Sequence, residues 1–184
     1  MRVSIVLKLL IGLASLLPLS LMAAEYDSLL LKAQASIFPK VVMLDRAVAS
    51  KTVDSIIKIN IVYRDRDQGT AEKMKDFIEA KYRSKLGSYA LDVSITPYNA
   101  VQNNMFATAY IALHGSESEV SQLSSWAGSQ QRLVMSYDSQ GFASNTLISV
   151  LLKEKTYIYL NKPALDTYQI KFLPLFYKIV KVYK

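Results

Sequence analysis

Short apolar runs at 59–63, 91–95, 105–113 and 133–135 alternate along this chain with stretches in which apolar residues recur every three or four positions. The run at 105–113 is apolar almost throughout, which is typical of a strand buried on both faces of a parallel sheet. The intervening stretches have the spacing of helices that bury one side. This alternation predicts an α/β fold in three layers, with a mostly parallel sheet of the flavodoxin-like or Rossmann-like kind between flanking helices.

The first helix is predicted over 26–38. Pro39 is expected to end or kink it, because proline lacks the backbone N–H of a helix interior. Its buried side is predicted from helical spacing to consist of Leu29, Leu30, Ala33 and Ile37.

Two more helices are predicted between the strands. One covers 71–85, with Thr70 as its N-cap and Gly87 as its stop. The other opens at Ser116, which stands three residues before Glu119 in the spacing of a capping box.

The C-terminal third follows a different pattern. Apolar runs at 147–152 and 156–160 are separated by only three residues, which is too few for a helical crossover, so they predict an antiparallel hairpin. Asn161 is expected to cap a last helix that is broken or restarted near Pro174 and then reaches the C-terminus. Lys171, Lys178, Lys181 and Lys184 would lie along one solvated side of this helix; contact with a membrane surface or an acidic partner is the alternative.

The first 24 residues have the layout of a secretory signal peptide. Arg2 and Lys8 supply positive charge, positions 9–23 are almost wholly apolar, and Ala23 and Ala24 offer a cleavage site. The alternative is an uncleaved membrane anchor, although the run is short for a span and contains Pro18. We therefore expect a signal peptide at 1–24 and one periplasmic domain at 25–184 of a bacterial protein.

Composition narrows the possible functions. The chain has 184 residues, 51% of them hydrophobic, which suits one folded domain. Without Arg2 and Lys8, 20 basic and 15 acidic side chains remain, so the secreted part carries a net charge of +5, too modest and dispersed to indicate nucleic-acid binding. The lack of cysteine excludes disulfides, a lipid anchor at the cleavage site and thiol chemistry.

Motifs for catalysis, metals and cofactors are not found. The only histidine is His114, and no Gly-x-Ser-x-Gly elbow, zinc motif, calcium loop, dinucleotide fingerprint or P-loop is present. We therefore expect a protein that is not an enzyme and holds no metal or cofactor. A hydrolase built around His114 remains a third hypothesis.

Polar residues follow three of the predicted strands. Arg64, Asp65 and Arg66 come after the first strand, His114 after the third and Asp138 after the fourth. Because ligands of parallel α/β sheets bind beyond the carboxyl ends of the strands, these residues form a candidate site for a small anion or a carboxylate. The alternative is that the charged loop after the first strand is solvated and compensates its own charges.

The order of these features resembles the YfiR-like periplasmic proteins. The similar segments are Leu31-Lys32-Ala33 in the first helix, the strand INIVY at 59–63, FATAYIALHG at 106–115, LVMSYD at 133–138 followed by Gly141-Phe142, and Leu160-Asn161 before the last helix. The chain departs from that pattern in having no cysteine, in Phe38-Pro39 where many members have Trp-Pro, and in Tyr137 and Asn145.

The resemblance implies a non-catalytic periplasmic regulator. Such a protein binds the periplasmic sensor region of an inner-membrane diguanylate cyclase, which belongs to cyclic-di-GMP signalling, or of a histidine kinase. Tyr137 and Phe142 are candidate aromatic anchors for that contact. The alternative function is a periplasmic module that binds a small ligand at the strand ends. The partner, the sign of regulation and the oligomeric state stay open, and a homodimer is compatible with the sequence.

Overall fold

The computed structural model describes residues 26–102 and 106–183, so the predicted signal peptide lies outside the described residues. Eight strands form one sheet. They are β1 (Ile56–Tyr63), β2 (Lys85–Leu86), β3 (Tyr89–Pro97), β4 (Ala109–Ala112), β5 (Leu133–Ser136), β6 (Ile148–Leu152), β7 (Thr156–Asn161) and β8 (Val180–Tyr183).

The strands lie in the order β2-β3-β1-β4-β5-β6-β7-β8. The five central strands, β3, β1, β4, β5 and β6, run parallel to one another, in the order of a flavodoxin-like sheet. β6 and β7 form an antiparallel hairpin, and β8 pairs parallel to β7. The predicted fold, a mostly parallel α/β sheet with a C-terminal antiparallel hairpin, is confirmed.

Helices flank this sheet, and short 3-10 turns lie at Asp65–Asp67, Tyr98–Ala100 and Ser139–Phe142. The helices are α1 (Ser28–Val42), α2 (Val48–Lys51), α3 (Gln68–Tyr82), α4 (Glu117–Ser129), α5 (Lys162–Tyr168) and α6 (Pro174–Ile179). None of the helices in the described part of the chain is long and apolar enough to span a membrane.

Both faces of the sheet bury apolar side chains, which explains the continuous apolar strands. On one face, Phe38 of α1 and Met74 of α3 belong to the same core cluster as Ile59 and Ile111. On the other face, Leu123 of α4 packs with residues of β4 and β5. Each such fully buried side chain contributes about 1.5–3 kcal/mol to folding.

The first helix differs from its prediction in length and in its buried side. It continues through Pro39 to Val42, and its buried residues include Leu31, Gln34 and Phe38, whereas Leu29 is largely exposed. Pro39 lies in the last turn and is itself buried. Burial of the residues after Pro39 in the core outweighs the ~3 kcal/mol that proline costs inside a helix.

The second long helix is shifted towards the N-terminus relative to its prediction. It begins at Gln68 and ends at Arg83, which takes the left-handed conformation with φ 49°. Gly87, predicted to stop this helix, instead has φ +63° between β2 and β3. A glycine suits a tight hairpin turn as well as it suits a helix end, so composition alone did not distinguish the two.

The C-terminus ends in a strand and not in the predicted helix. Asn161 caps α5 as expected, but α6 stops at Ile179 and β8 follows. The pairing of Val180 with Ile158 of β7 places this segment in the sheet. The four lysines therefore do not share one helical side, because Lys181 belongs to β8.

Candidate functional site

A cleft of about 250 Å³ opens at the carboxyl ends of β4 and β5. Its walls are the loop from β4 to α4, the first turn of α4, and the loop from β5 to β6. Strand β1 lies on the other side of β4, so the cleft is next to the point where the strand order reverses. Ligands of open α/β sheets bind in this region.

Asp138 is one of the residues that line the cleft. Its Oδ1 accepts hydrogen bonds from the backbone N–H groups of Gln140, at 2.8 Å, and Gly141, at 3.3 Å. Its Oδ2 lies 2.9 Å from Nδ1 of His114. Burial opposes ionisation and is the largest single influence, but the hydrogen bonds from His114 and the two amides outweigh it and hold the pKa of Asp138 below its ordinary value. Asp138 is therefore a carboxylate at neutral pH.

The rings of His114, Tyr26 and Tyr137 all contact one another. The ring centroid of His114 is 4.6 Å from that of Tyr26 and 4.9 Å from that of Tyr137. The backbone N–H of His114 donates to the hydroxyl of Tyr26 at 3.0 Å, and the backbone N–H of Asp27 donates to the hydroxyl of Tyr137 at 2.8 Å. Burial raises the pKa of both tyrosine hydroxyls. The residues just before α1 are thus fastened to the rim of the cleft.

Tyr137 and Phe142, the expected aromatic anchors for a partner, are both buried, with 6% and 4% of their surface exposed. Tyr137 packs against Tyr26 and His114, and the ring of Phe142 lies 5.1 Å from that of Tyr183. The expectation that they are exposed docking residues does not hold for this structure, because both rings already have partners within the chain.

Arg64, a predicted ligand-binding residue, is bonded to α4. Its Nε donates to Oε2 of Glu119 at 2.8 Å, and its Nη2 lies 2.6 Å from the same oxygen. The predicted capping box is confirmed: Oγ of Ser116 accepts from the backbone N–H of Glu119, whose side chain accepts from the backbone N–H of Ser116. Burial would raise the pKa of Glu119, but its bonds with Ser116 and Arg64 lower it overall. Arg64 thus fixes the start of the helix that forms one wall of the cleft.

Asp65 and Arg66 lie in the 3-10 turn after β1, and both are exposed. Nε of Arg66 is 3.8 Å from Oδ2 of the buried Asp67. The described residues that line the cleft include His114 and Asp138 but none of Arg64, Asp65 and Arg66. The structure thus brings together two of the five predicted ligand-binding residues and places the other three beside the cleft.

Three hydroxyl groups of the cleft already take part in hydrogen bonds. Oγ of Ser116 bonds to Glu119, Oγ of Ser136 donates to the carbonyl oxygen of Asp138 at 2.7 Å, and Oγ of Ser144 donates to the carbonyl oxygen of Glu117 at 3.3 Å. Within residues 26–102 and 106–183, no serine hydroxyl forms a hydrogen bond with the ring of His114. Residues 26–102 and 106–183 also contain no group of three or more His, Asp or Glu side chains placed to hold a metal ion.

The loop between β5 and β6, which forms one wall of the cleft, is held in place by hydrogen bonds and close packing. Nδ2 of Asn161 donates to the carbonyl oxygens of Thr146, at 2.9 Å, and Phe142, at 3.2 Å. Gly141 packs so closely that an added Cβ would lie 2.6 Å from Cβ of Ser136. The segment SYDSQGFA at 136–143 is therefore a fixed corner whose backbone conformation positions Asp138.

Tyr26 is the site residue that the sequence did not reveal. It lies 88 positions before His114, and the only local signal around it was the start of a helix. A tyrosine just before a helix has no pattern that indicates its contact with a distant strand end, so only the assembled sheet reveals this role.

No protein-family model matches this chain, and no curated protein matches it in sequence. Among solved structures, it is similar to a conserved domain protein from Vibrio cholerae, with a TM-score of 0.56 and 10% identity over 84% of this chain and 60% of that one. It is also similar to the ABC domain from Streptococcus pneumoniae solved in complex with L-Trp, with a TM-score of 0.50 and 11% identity over 78% of this chain and 60% of that one. The chain thus spans 60% of the length of each. At these identities the likeness establishes a shared α/β fold.

Proposed function

We propose that this chain is a non-catalytic periplasmic binding module whose cleft, at the carboxyl ends of β4 and β5, takes a small polar molecule. The observation that carries the proposal is the cleft itself, which is lined by an ionised carboxylate and borders the reversal of strand order. The free lone pairs of Asp138 would accept hydrogen bonds from ligand hydroxyl, ammonium or amide groups. At about 250 Å³, the cleft suits a molecule smaller than a typical drug.

The hydrogen bonding of the cleft favours binding over hydrolysis. A serine nucleophile needs a base within hydrogen-bond reach, and the hydroxyls of Ser116, Ser136 and Ser144 are directed to other groups. The ring of His114 bonds to Asp138, which fixes its orientation. We infer that the two side chains together form polar contacts with a ligand.

Thermal unfolding in the presence of small metabolites tests this function. A ligand at about 100 times its Kd stabilises the folded state by about 2.7 kcal/mol, which corresponds to a rise in Tm of roughly 5–10 °C for a domain of this size. L-tryptophan belongs in the set, because the Streptococcus pneumoniae domain is seen in complex with it. The rise should disappear in Asp138→Asn and persist in the control Asp166→Asn, which alters an exposed carboxylate on α5. If no polar metabolite raises Tm, or if both variants respond equally, the proposal fails.

A second candidate function is regulation of an inner-membrane signalling protein, as the resemblance to YfiR-like proteins implies. The observation that favours it is the large share of exposed apolar side chains near the C-terminus, at Leu175, Ile179 and Val182 among others. Exposed apolar clusters on secreted domains commonly mark protein-binding surfaces. Cross-linking in intact cells, followed by identification of the captured protein, should yield a membrane protein with a periplasmic sensor region and a cytoplasmic cyclase or kinase domain. A cross-linked partner of any other class would contradict this function.

A further inference from the structure

Strand β8 ends the sheet. It pairs with β7 on one side, and no other described segment pairs with its outer side. Val180 is partly buried, and Lys181, Val182 and Tyr183 are exposed, so no helix or loop among the described residues covers the strand. Such an edge presents unpaired backbone N–H and C=O groups, and proteins usually shield an edge or use it to bind another strand.

Exposed apolar side chains are concentrated at this edge. Nine large apolar residues are exposed in the described part of the chain, and six of them lie between positions 173 and 183. These six are Leu173, Leu175, Tyr177, Ile179, Val182 and Tyr183. We call α6 together with β8 the C-terminal edge. Single exposed apolar residues are common, but this concentration over one short segment is typical of an interaction surface.

The charge of the C-terminal edge has one sign. Positions 167–184 contain four lysines and no aspartate or glutamate. Lys181 extends from β8 across the neighbouring strand, where its Nζ lies 3.7 Å from the centroid of the Tyr157 ring, and Nζ of Lys155 lies 5.5 Å from the same ring. A partner that supplies negative charge would therefore complement this surface.

These properties select among possible occupants. A second copy of the chain, paired through β8, would bring the lysines of both copies together, and like charges on adjacent strands are destabilising. A lipid surface would complement the charge but would leave the N–H and C=O groups of the edge without partners, at a cost of several kcal/mol for each buried group. An extended acidic segment satisfies both the backbone groups and the lysines.

We propose that the C-terminal edge binds an extended acidic segment of a partner protein, which adds to the sheet as a further strand beside β8. Backbone hydrogen bonds supply much of the affinity, while pairing of carboxylates with Lys178 and Lys181 selects the partner. This inference rests on the second candidate function, since it specifies which surface of the regulator meets the signalling protein and which chemistry that protein presents.

The test uses protein purified from cells that express the full-length chain, with labelled peptides as probes. The acidic probe alternates Asp with Val and Thr over about seven residues, and the basic probe replaces each Asp by Lys. Fluorescence anisotropy should show that the acidic probe binds at least about tenfold more tightly than the basic probe, with an affinity that falls as salt rises. Hydrogen exchange should slow at the amides of β8 when the acidic probe is bound, which distinguishes strand addition from loose attraction between charges.

Charge reversal supplies the decisive comparison. The double variant Lys178→Glu/Lys181→Glu should lose about tenfold in affinity for the acidic probe and should gain affinity for the basic one. The control Lys81→Glu/Lys85→Glu makes the same change in net charge at exposed positions near the opposite edge of the sheet and should bind like the unaltered protein. All four positions are exposed, and the contact of Lys181 with Tyr157 contributes about 0.5–1 kcal/mol, so both variants should keep the melting temperature of the parent within about 4 °C.

Several results would overturn the proposal. Equal affinity for the two probes, or equal losses in the two double variants, would show that the edge does not select acidic strands. A dimer in sedimentation that is lost on changing β8 would identify a second copy as the occupant, and binding to phosphatidylglycerol vesicles without peptide binding would identify a membrane. Cross-linking of a membrane sensor without peptide binding would leave the regulatory function standing and remove only this surface.

Discussion

The side chain of Asn161 stabilises the corner beneath the cleft through three hydrogen bonds. The replacement Asn161→Asp keeps the one that the side chain accepts and removes the two that it donates. Oδ1 of Asn161 accepts from the backbone N–H of Ala164 and caps α5, while its Nδ2 donates to the carbonyl oxygens of Thr146 and Phe142. Aspartate has the same size and is an equally good helix cap. It cannot donate when ionised, so the carbonyl oxygen of Thr146 loses its side-chain partner and that of Phe142 keeps only the backbone N–H of Asn145. Both oxygens then face a negative charge in a site that is only 2% exposed.

The magnitude follows from those two bonds. The unpaired carbonyl oxygen of Thr146 costs about 1–3 kcal/mol and the lost bond to Phe142 about 0.5–1.5 kcal/mol, so Asn161→Asp should lower the free energy of unfolding by about 2–4 kcal/mol. This corresponds to a fall in Tm of roughly 5–15 °C. Urea unfolding at neutral pH, followed by circular dichroism, measures the change directly.

The opposite replacement at another helix cap provides the control. Asp27 caps α1 by accepting from the backbone N–H groups of Leu29, at 2.7 Å, and Leu30, at 3.3 Å, and its side chain is exposed. Asp27→Asn should therefore change stability by no more than about 0.5 kcal/mol. If Asn161→Asp is as stable as the parent, capping is the whole role of Asn161, and the idea that its amide holds the corner is refuted.

Three further changes test the packing around the cleft. Because the pKa of Asp138 is lowered in the folded state, its ionised carboxylate stabilises the protein above its unfolded pKa of about 3.9, and this contribution is lost as pH falls through the folded value. Asp138→Asn should therefore reduce the loss of stability that urea unfolding shows between about pH 5 and pH 2. Gly141→Ala should cost about 1–3 kcal/mol because its Cβ would collide with Ser136, whereas Gly69→Ala, with open space around it, should be neutral or stabilising in thermal melts. Gln34→Leu should cost about 2–4 kcal/mol in the same melts, since it removes the donor shared by carbonyl oxygens of Tyr137 and Val150; a smaller loss than in Ala35→Gly would contradict that role.

The central strands could be predicted because their signal is local. A strand buried on both faces must be apolar at consecutive positions, and the runs at 59–63 and 133–135 fall within β1 and β5. The capping box of Ser116 and the cap of Asn161 were equally predictable, because each depends on residues within one helical turn. Prediction succeeded where the residues that determine an element lie inside it.

The buried side of α1 could not be predicted in the same way. Its helical spacing favoured Leu29 and Ala33, yet the helix buries Gln34 and leaves Leu29 exposed. Gln34 belongs inside because its amide donates to the carbonyl oxygens of Tyr137, just after β5, and Val150 of β6, both more than 100 positions away. A polar residue in the core is justified by partners that only the assembled fold supplies.

In the candidate site, too, some features could be predicted from local sequence and others depend on contacts between distant residues. His114 and Asp138 were expected to meet because both follow parallel strands, and their side chains do so at 2.9 Å. Arg64 was expected beside them as a ligand-binding cation, but it is bonded to Glu119. The position of Glu119 as the third residue of α4 was predicted, whereas its pairing with Arg64 was not. Strand order brings residues to one edge, whereas side-chain pairing decides which of them remain available to a ligand.

A ring contact joins the cleft to the C-terminal edge, beside the pairing of Tyr183 with Asn161 in the sheet. The ring of Phe142, in the loop that closes the cleft, lies 5.1 Å from the ring of Tyr183 in β8. An aromatic pair of this kind contributes about 0.5–1.5 kcal/mol beyond burial, so coupling that passes through it can change an affinity by no more than about tenfold. We therefore expect Tyr183→Leu to alter the affinity of a cleft ligand, measured by calorimetry, by less than that factor. A larger change would mean that the loop and β8 move together between two conformations. A ligand in the cleft and a partner at the C-terminal edge would then each bind one of these conformations more tightly than the other.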